Sequence, residues 1–316
     1  IKIKAKSTDA FPLVTICMAT YNPAISAFKR QIDSIKSQNY KNWICLINDD
    51  CSDEAVFHQI KEIIINDDRF YIRRNQANLS FYRNFEKALC LVNPNTKYVM
   101  LSDQDDYWYP YKIQRLVEKI SEDDRINLVY SDMKIVKSNQ EVIFETYWVN
   151  RKNYYKSLDA LIMANTITGA ASLFKYEIIN KIIPFPQDRG RPYHDHVIAC
   201  AASAFGKIGY LNEPLYEYIQ YSHNVTGHCD FVTTPLWRDI KSLFNRNLLR
   251  SNVFRLLEFY EHDYKRLSIL SNTLTLRGSK RLFSLNLFNH SKFSALLLFF
   301  SAMKIRLKGL TTNKVE

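Results

Sequence analysis

Tyr98-Val99-Met100-Leu101 is a short apolar run that stops at Ser102-Asp103-Gln104-Asp105-Asp106. A run of this length, cut off by polar residues, reads as a buried strand ending in a loop. The pattern recurs upstream. Residues 13–19 (LVTICMA) break at Thr20-Tyr21-Asn22-Pro23, and residues 43–47 (WICLI) break at Asn48-Asp49-Asp50-Cys51-Ser52-Asp53. Residues 70–73 supply a further strand. Between these runs the apolar residues change period. Ile25, Phe28, Ile32 and Ile35 form a helical stripe within residues 24–37. A second helix is expected to run to Ile65, capped by the polar segment 48–53, and a third over 81–92. Downstream, 113–120 reads as a helix and 128–131 as a strand.

Strand-then-helix units repeated through the first 120 residues predict an α/β fold with a parallel, doubly wound sheet. Such sheets bind ligands outside the carboxyl ends of their strands. Strands one, two and four deliver Thr20-Tyr21-Asn22, Asp49-Asp50 and Asp103-Gln104-Asp105 to that edge. One Asp-Asp pair is ordinarily a turn. Three polar ends on one edge argue for a site. Asp103, Asp105 and Asp106 also repel one another, by about 1 kcal/mol per pair at ~4 Å even in water. A hard cation such as Mg²⁺ or Mn²⁺ relieves that repulsion and usually shares its shell with substrate phosphates. Zinc is disfavoured, since no Cys or His adjoins the cluster.

The 316 residues are 47% hydrophobic and 24% charged, which excludes a disordered or collagen-like chain. Gly and Pro make up only about 5%, so glycine-rich phosphate loops are missing. Aromatic residues reach 14%, as suits ring stacking or a membrane interface. Of the net charge of +11, residues 237–316 carry 15 Lys/Arg against 5 Asp/Glu. The expected organisation is a near-neutral body (1–235) and a basic, amphipathic helical extension (236–316) suited to an anionic membrane surface. Helical packing on the body is the equal alternative. Nucleic acid is not an expected partner, because no recognition motif accompanies the charge. The six cysteines form no C-x-x-C pair and fit a reducing cytosol. Ile1-Lys2-Ile3-Lys4 leads into Ser-Thr-Asp, so no secretory leader is expected, and a first residue other than Met fits an excerpt from a longer chain. The longest unbroken apolar run, 295–300, is too short to span a bilayer.

In order and spacing these segments resemble the family 2 glycosyltransferases of the GT-A fold, a Rossmann-like, mostly parallel sheet flanked by helices. The resemblance covers roughly residues 12–227. It continues through Asn165-Thr166-Ile167-Thr168-Gly169-Ala170, Pro184-Phe185-Pro186, Tyr193-His194-Asp195-His196, Ala204-Phe205-Gly206, Glu213-Pro214-Leu215 and Asn224-Val225. The string is similar to the bacterial rhamnosyltransferase-like branch. That resemblance implies an inverting, Mn²⁺- or Mg²⁺-dependent enzyme. Its donor would be a nucleotide-diphosphate sugar (dTDP-rhamnose or a UDP-sugar). Its acceptor would be a lipid-linked saccharide of an O-antigen, capsule or cell-wall glycan, at the inner face of the cell membrane. Carried over residue by residue, Thr20, Tyr21 and Asn22 hold the nucleotide, and Asp50 or Asp49 reads the base. Arg83 and Asn84 approach the nucleotide, Asp103 contacts ribose and metal, and Asp105 holds the metal. Asp195 is the catalytic base, and Trp108 is expected to stack on the sugar.

Two departures stand out. Tyr218-Ile219-Gln220-Tyr221 replaces the family's Tyr-Arg-Gln-His, leaving His223 or His228 to take the metal-side role. Cys51 replaces a customary glycine, which is tolerable unless that residue needs a positive φ. His194 and His196, as neighbours of Asp195 on a helix, are expected to face elsewhere. Two other readings compete. A sugar-nucleotide pyrophosphorylase would need a glycine-rich loop after strand one, which Thr20-Tyr21-Asn22-Pro23 is not. A catalytically inactive nucleotide-sugar-binding module would not need Asp103, Asp105 and Asp195.

Overall fold

The computed structural model describes residues 11–148, 153, 155–158, 161, 165–186 and 193–220. His223, His228, the boundary near 235 and the expected extension over 236–316 lie outside them.

Apolar runs became buried strands. β1 (Val14–Thr20), β2 (Trp43–Asp49), β3 (Phe70–Arg74) and β4 (Tyr98–Ser102) are parallel neighbours in the order β3-β2-β1-β4. Every residue of β2 and β4 is buried, as befits strands covered on both faces. Three amphipathic helices connect them: α1 (Ile25–Lys36), α2 (Glu54–Ile64) and α3 (Ser80–Leu89). α1 turns Phe28, Ile32 and Ile35 inward, as its stripe requires. Each expected strand and helix in the first 120 residues is present, with ends displaced by at most three residues. The cap expected before α2 is different in kind. Asp53 makes no side-chain cap bond, and its backbone N–H donates to Asn22 Oδ1 at 2.8 Å, tying the helix entry to the end of β1.

Beyond β4 the strand direction changes. After the two-residue β5 (Tyr107–Trp108) and α4 (Lys112–Ile120), the chain forms β6 (Ile126–Lys137), β7 (Val142–Phe144) and β8 (Ser172–Lys175). Then follow α5 (Ile179–Ile182), α6 (His194–Phe205) and β9 (Lys207–Gln220). β8 lies antiparallel between β4 and β6, β7 pairs antiparallel with β6, and β5 with β9. The sheet order continues β4-β8-β6-β9-β5. β6 therefore runs in the same direction as β4, passes the edge where β1, β2 and β4 end near its Ser131 and Asp132, and continues beyond it to Lys137.

Leu13, Ile16, Met18, Ile32, Trp43, Leu101, Leu128 and Phe174 are among the fully buried residues that fix this sheet to its helices. Each contributes roughly 1.5–3 kcal/mol by leaving water. Among the described residues no helix is long and apolar enough to cross a membrane.

Candidate active site

At the ends of β1 and β2, polar side chains build a scaffold before any reaches outward. Asp49 is fully buried and accepts from Thr20 Oγ1 (3.1 Å), Ser52 N (3.0 Å) and Ser52 Oγ (2.6 Å), with Arg74 Nε at 3.7 Å. Its bonding is spent inside the protein, so the base-reading role expected of either aspartate cannot fall to Asp49. Thr20 is equally enclosed, since its hydroxyl serves Asp49 and its carbonyl accepts the Asp50 N–H at 2.8 Å. Asn22 adopts φ 40°, which Asn tolerates, and its N–H donates to Ser52 Oγ at 2.8 Å. Thr20 thus shapes the loop, whereas Asn22 is exposed beside Tyr21, its Oδ1 accepting the Asp53 N–H. Tyr21 is 49% exposed, and Gln104 holds its backbone: Tyr21 N donates to Gln104 Oε1 at 2.8 Å. Asp50 accepts from Asn75 Nδ2 (2.8 Å) and Leu79 N (2.9 Å) on Oδ1 alone. That leaves Oδ2 outside these bonds.

Asn84 also changes role. It is buried and fully engaged, accepting from Asn48 Nδ2 at 2.6 Å while donating to the carbonyls of Asn48 (2.9 Å) and Thr20 (3.3 Å). It pins α3 to the ends of β1 and β2 and has no amide atom left for a nucleotide. Arg83 bonds Glu86 and the Phe185 carbonyl (3.4 Å), which places it beside the Pro184-Phe185-Pro186 loop.

Asp103 and Asp105 are half-buried and Asp106 is buried. Burial, reinforced by the Asp105 and Asp195 charges, pushes Asp103 up to about 7. Burial likewise raises Asp105, against the pull of Arg30, whose Nη2 donates to the Asp105 carbonyl at 2.9 Å. Asp106 is driven well above the usual carboxylate range, and its Oδ2 is buried with no partner. Nearby sits a fully buried Lys112. Its Nζ donates to the Ala170 carbonyl at 2.6 Å and lies over the rings of Trp108 (3.8 Å) and Tyr216 (4.1 Å). Trp108 is therefore no sugar platform. It is wholly enclosed, with its backbone N–H on Ser34 Oγ and its ring face under Lys112 Nζ, which burial pushes well below the usual lysine range against the pull of Asp106 and Asp103. A lysine six residues past the acidic loop gave no sequence signal for this burial. Among the described residues, no three Cys, His, Asp or Glu side chains form a ready metal cage.

Asp195 opens α6, and its charge bears on Asp103. Burial pushes its carboxyl up to about 6, opposed by the N–H groups of His196 (2.7 Å) and Gly169 and by the Asn165 amide. Gly169 is needed for close approach: a Cβ there would meet His194 Nε2 at 3.0 Å and Leu101 Cδ1 at 3.2 Å. The two histidines face elsewhere, as expected. His194 stacks on Phe85 (4.1 Å between centroids) and is pushed down to about 3 by burial, while His196 Nε2 meets the Leu161 carbonyl at 2.7 Å. Together, a carboxylate that ionises near neutrality stands beside an acidic loop on the ligand-binding edge of the sheet. Shifted carboxyls gathered on that edge mark it as the candidate active site.

Comparison with known proteins agrees. The model of the family described as Glycosyl transferase family 2 matches residues 15–183. An uncharacterized glycosyltransferase of Methanocaldococcus jannaschii is 25% identical over 210 residues, covering 66% of this chain and 70% of the relative. Escherichia coli WcaA, named as a colanic acid biosynthesis glycosyl transferase, is 32% identical over 104 residues, or 32% of this chain and 36% of its own. Among solved structures, S. aureus TarS 1-349 in complex with UDP-GlcNAc superposes with TM-score 0.52 at 18% identity, covering 67% of this chain and 60% of that one. At that identity the likeness speaks for the fold.

Proposed function

The chain belongs to glycosyl transferase family 2, and from that premise we propose that it transfers a sugar, with inversion, from a nucleotide-diphosphate sugar to a saccharide hydroxyl. The observation that carries the reading is Asp195 at the head of α6, its carboxyl close enough to Asp103 to raise it and pushed up by burial to about 6, so that it is mostly ionised at neutral pH. Asp195 takes the proton of the acceptor hydroxyl as its oxygen bonds the anomeric carbon. The bond from that carbon to the donor diphosphate breaks, and the nucleoside diphosphate leaves with the electron pair. One carboxylate suffices, because no covalent intermediate is formed. The exposed Tyr21 and Asn22 are the groups at the β1–β2 edge that hold the nucleotide in this reading, with the buried Asp50 offering the Oδ2 its own bonds leave over. The TarS complex with UDP-GlcNAc supports a nucleotide-sugar donor, and UDP-sugars and dTDP-rhamnose are the donors to screen first.

The acidic loop fits a divalent cation. Asp103 and Asp105 are hard oxygen donors whose ionisation burial opposes, and the buried Asp106 Oδ2 lacks a partner. Asp105 and Asp103 would hold the ion, and His223 is the sequence's candidate for a further ligand. When bound, the cation neutralises charge on the departing diphosphate. The test is calorimetry of uridine or thymidine diphosphate with and without Mn²⁺. Asp105→Ala should abolish the Mn²⁺-dependent part of the affinity, and unchanged affinity refutes the metal assignment.

The product is a bacterial surface polysaccharide in this reading, supported by the colanic acid relative. The acceptor is lipid-linked and met at the inner face of the membrane, supported by the excess positive charge of residues 237–316. The full chain should sediment with anionic liposomes at low salt and leave them at high salt. Failure to bind at low salt removes the membrane reading.

A further inference from the structure

We propose that Tyr147 and Trp148 form a saccharide-stacking platform on the acceptor side of Asp195, fixed there by the buried carboxylate of Asp132. The proposal rests on the transfer reaction above and adds where the acceptor lies.

Strand register locates the platform. Met100 of β4 is level with Leu173 of β8, and Leu173 with Val129 of β6. Three residues onward along these two like-directed strands, Asp103 and Asp132 come level on the same edge. Strands lie ~4.8 Å apart, so two strand steps separate them by ~10 Å. Between them begins β8, preceded by Gly169, whose backbone N–H faces the Asp195 carboxylate and on which a Cβ would meet Asp195 Cβ at 3.4 Å. The order along the edge is therefore Asp50, Tyr21, Asp103, Asp195, Asp132. In an inverting displacement the incoming oxygen approaches opposite the departing diphosphate. The acidic loop and the β1–β2 edge occupy one side of Asp195, and β6 is the other.

What stands on β6 is built rather than incidental. Asp132 is fully buried, and burying a carboxylate is costly unless it is well bonded. It accepts from the backbone N–H groups of Met133 (2.8 Å), Tyr147 (2.9 Å) and Trp148 (3.3 Å). One carboxylate thus fixes two consecutive amides of the segment after β7. The two side chains they carry are half-buried and meet edge to face at 4.8 Å. A rigid aromatic corner presents a ring face to the apolar C–H face of a pyranose at little entropic cost. Tyr216 bridges the two regions: its hydroxyl donates to Met133 Sδ at 3.1 Å, while its ring lies under Lys112 Nζ.

The test uses the full chain with uridine or thymidine diphosphate bound. Methyl glycosides and disaccharides of N-acetylglucosamine, glucose, galactose and rhamnose are screened by saturation-transfer NMR, and diphosphate affinity is measured in parallel. Wild type should bind at least one saccharide. Tyr147→Leu and Trp148→Leu should each weaken it ~3–10-fold while leaving diphosphate affinity unchanged, and Trp148→Phe should recover most of the loss. Asp132→Asn should weaken saccharide binding without altering either ring. Undiminished saccharide binding in the double leucine variant overturns the proposal. So does a wild type that binds diphosphate but no saccharide, or a Trp148→Leu variant that loses both ligands together. A wild type that binds no nucleotide diphosphate refutes the transferase reading instead.

Discussion

Asp195 offers the sharpest quantitative test of the site. An ordinary aspartate, ionising near 3.8, would keep a general base fully charged down to about pH 5. Burial moves Asp195 to about 6. The base form should then be about nine-tenths populated at pH 7 and about one-tenth at pH 5, so turnover falls close to tenfold across that interval. The sign follows from the cause: burial disfavours the charged form, and catalysis needs the charged form, so acid inactivates early. The same shift acts oppositely on stability. A carboxyl raised on folding contributes stability in its protonated state, which is lost as pH rises through about 6. Lowering pH from 8 to 5 should therefore cost activity while this group favours the fold. The assay is the initial rate of nucleoside diphosphate release at saturating donor and acceptor, with donor affinity measured at each pH to separate binding from chemistry. Asn165→Ala removes a bond to the carboxylate and should shift the acid limb to higher pH. Asp195→Asn should cut turnover by a factor on the order of 10²–10⁴. A flat profile down to pH 5, or near-normal turnover in Asp195→Asn, refutes the assignment.

Cys51 has φ 64°, a conformation that costs a side-chain-bearing residue roughly 1–2 kcal/mol, partly offset in glycine by unfolded-state entropy. Cys51→Gly should raise stability by about 0.5–1 kcal/mol in urea titration, and a loss would mean that the Sγ contact to the Gln76 carbonyl outweighs the strain. Gly169→Ala should leave the fold intact but displace His194 and Asp195, lowering kcat about 10-fold or more with little change in donor affinity. Trp108→Phe should cost roughly 0.5–3 kcal/mol in unfolding free energy and leave the KM for donor unchanged, whereas a sugar-stacking ring would show the reverse.

Much of the fold was legible because the parallel strands are continuous apolar runs ended by polar residues, and the helices between them carry clear stripes. The other half of the sheet gave weaker signals. β5 has two residues and β8 four, too few for a period to register, and β9 mixes buried with half-buried positions throughout. In the site, residue type located the clusters but could not say which members are consumed internally. Asp49 and Asp50 are adjacent and alike, and only the fold shows Asp49 spent on Thr20 and Ser52. Asn84 and Trp108 failed for the same reason: a side chain suited to a ligand is equally suited to a buried carbonyl or a buried lysine. Cys51 showed the converse, a departure whose meaning waited on one dihedral angle. Asp132 did leave a trace. It directly follows the expected strand at 128–131, as Asp103 follows its own, but a single aspartate there could not be told from a turn.

The reversal of strand direction at β8 bears on how such enzymes diversify. Apart from the candidate ligand His223, the residues assigned to the donor lie in one contiguous stretch of gene, up to Asp106, while the base and the aromatic corner are encoded later, from Asp132 to Asp195. A recombination event falling after α4 would join the donor preference of one parent to the acceptor preference of another. Side chains do cross that junction, with His194 stacked on Phe85 and Glu86 accepting the Phe185 N–H, but part of it is indifferent to sequence. The β4–β8 ladder is backbone bonding, indifferent to side-chain identity, and Lys112 Nζ grips the Ala170 carbonyl, an atom every residue supplies. Hybrids that keep Lys112 and Tyr216, together with the Phe85–His194 and Glu86–Phe185 contacts, would inherit the joint. New pairings of sugar and acceptor then arise by shuffling two cassettes, with no need to redesign either.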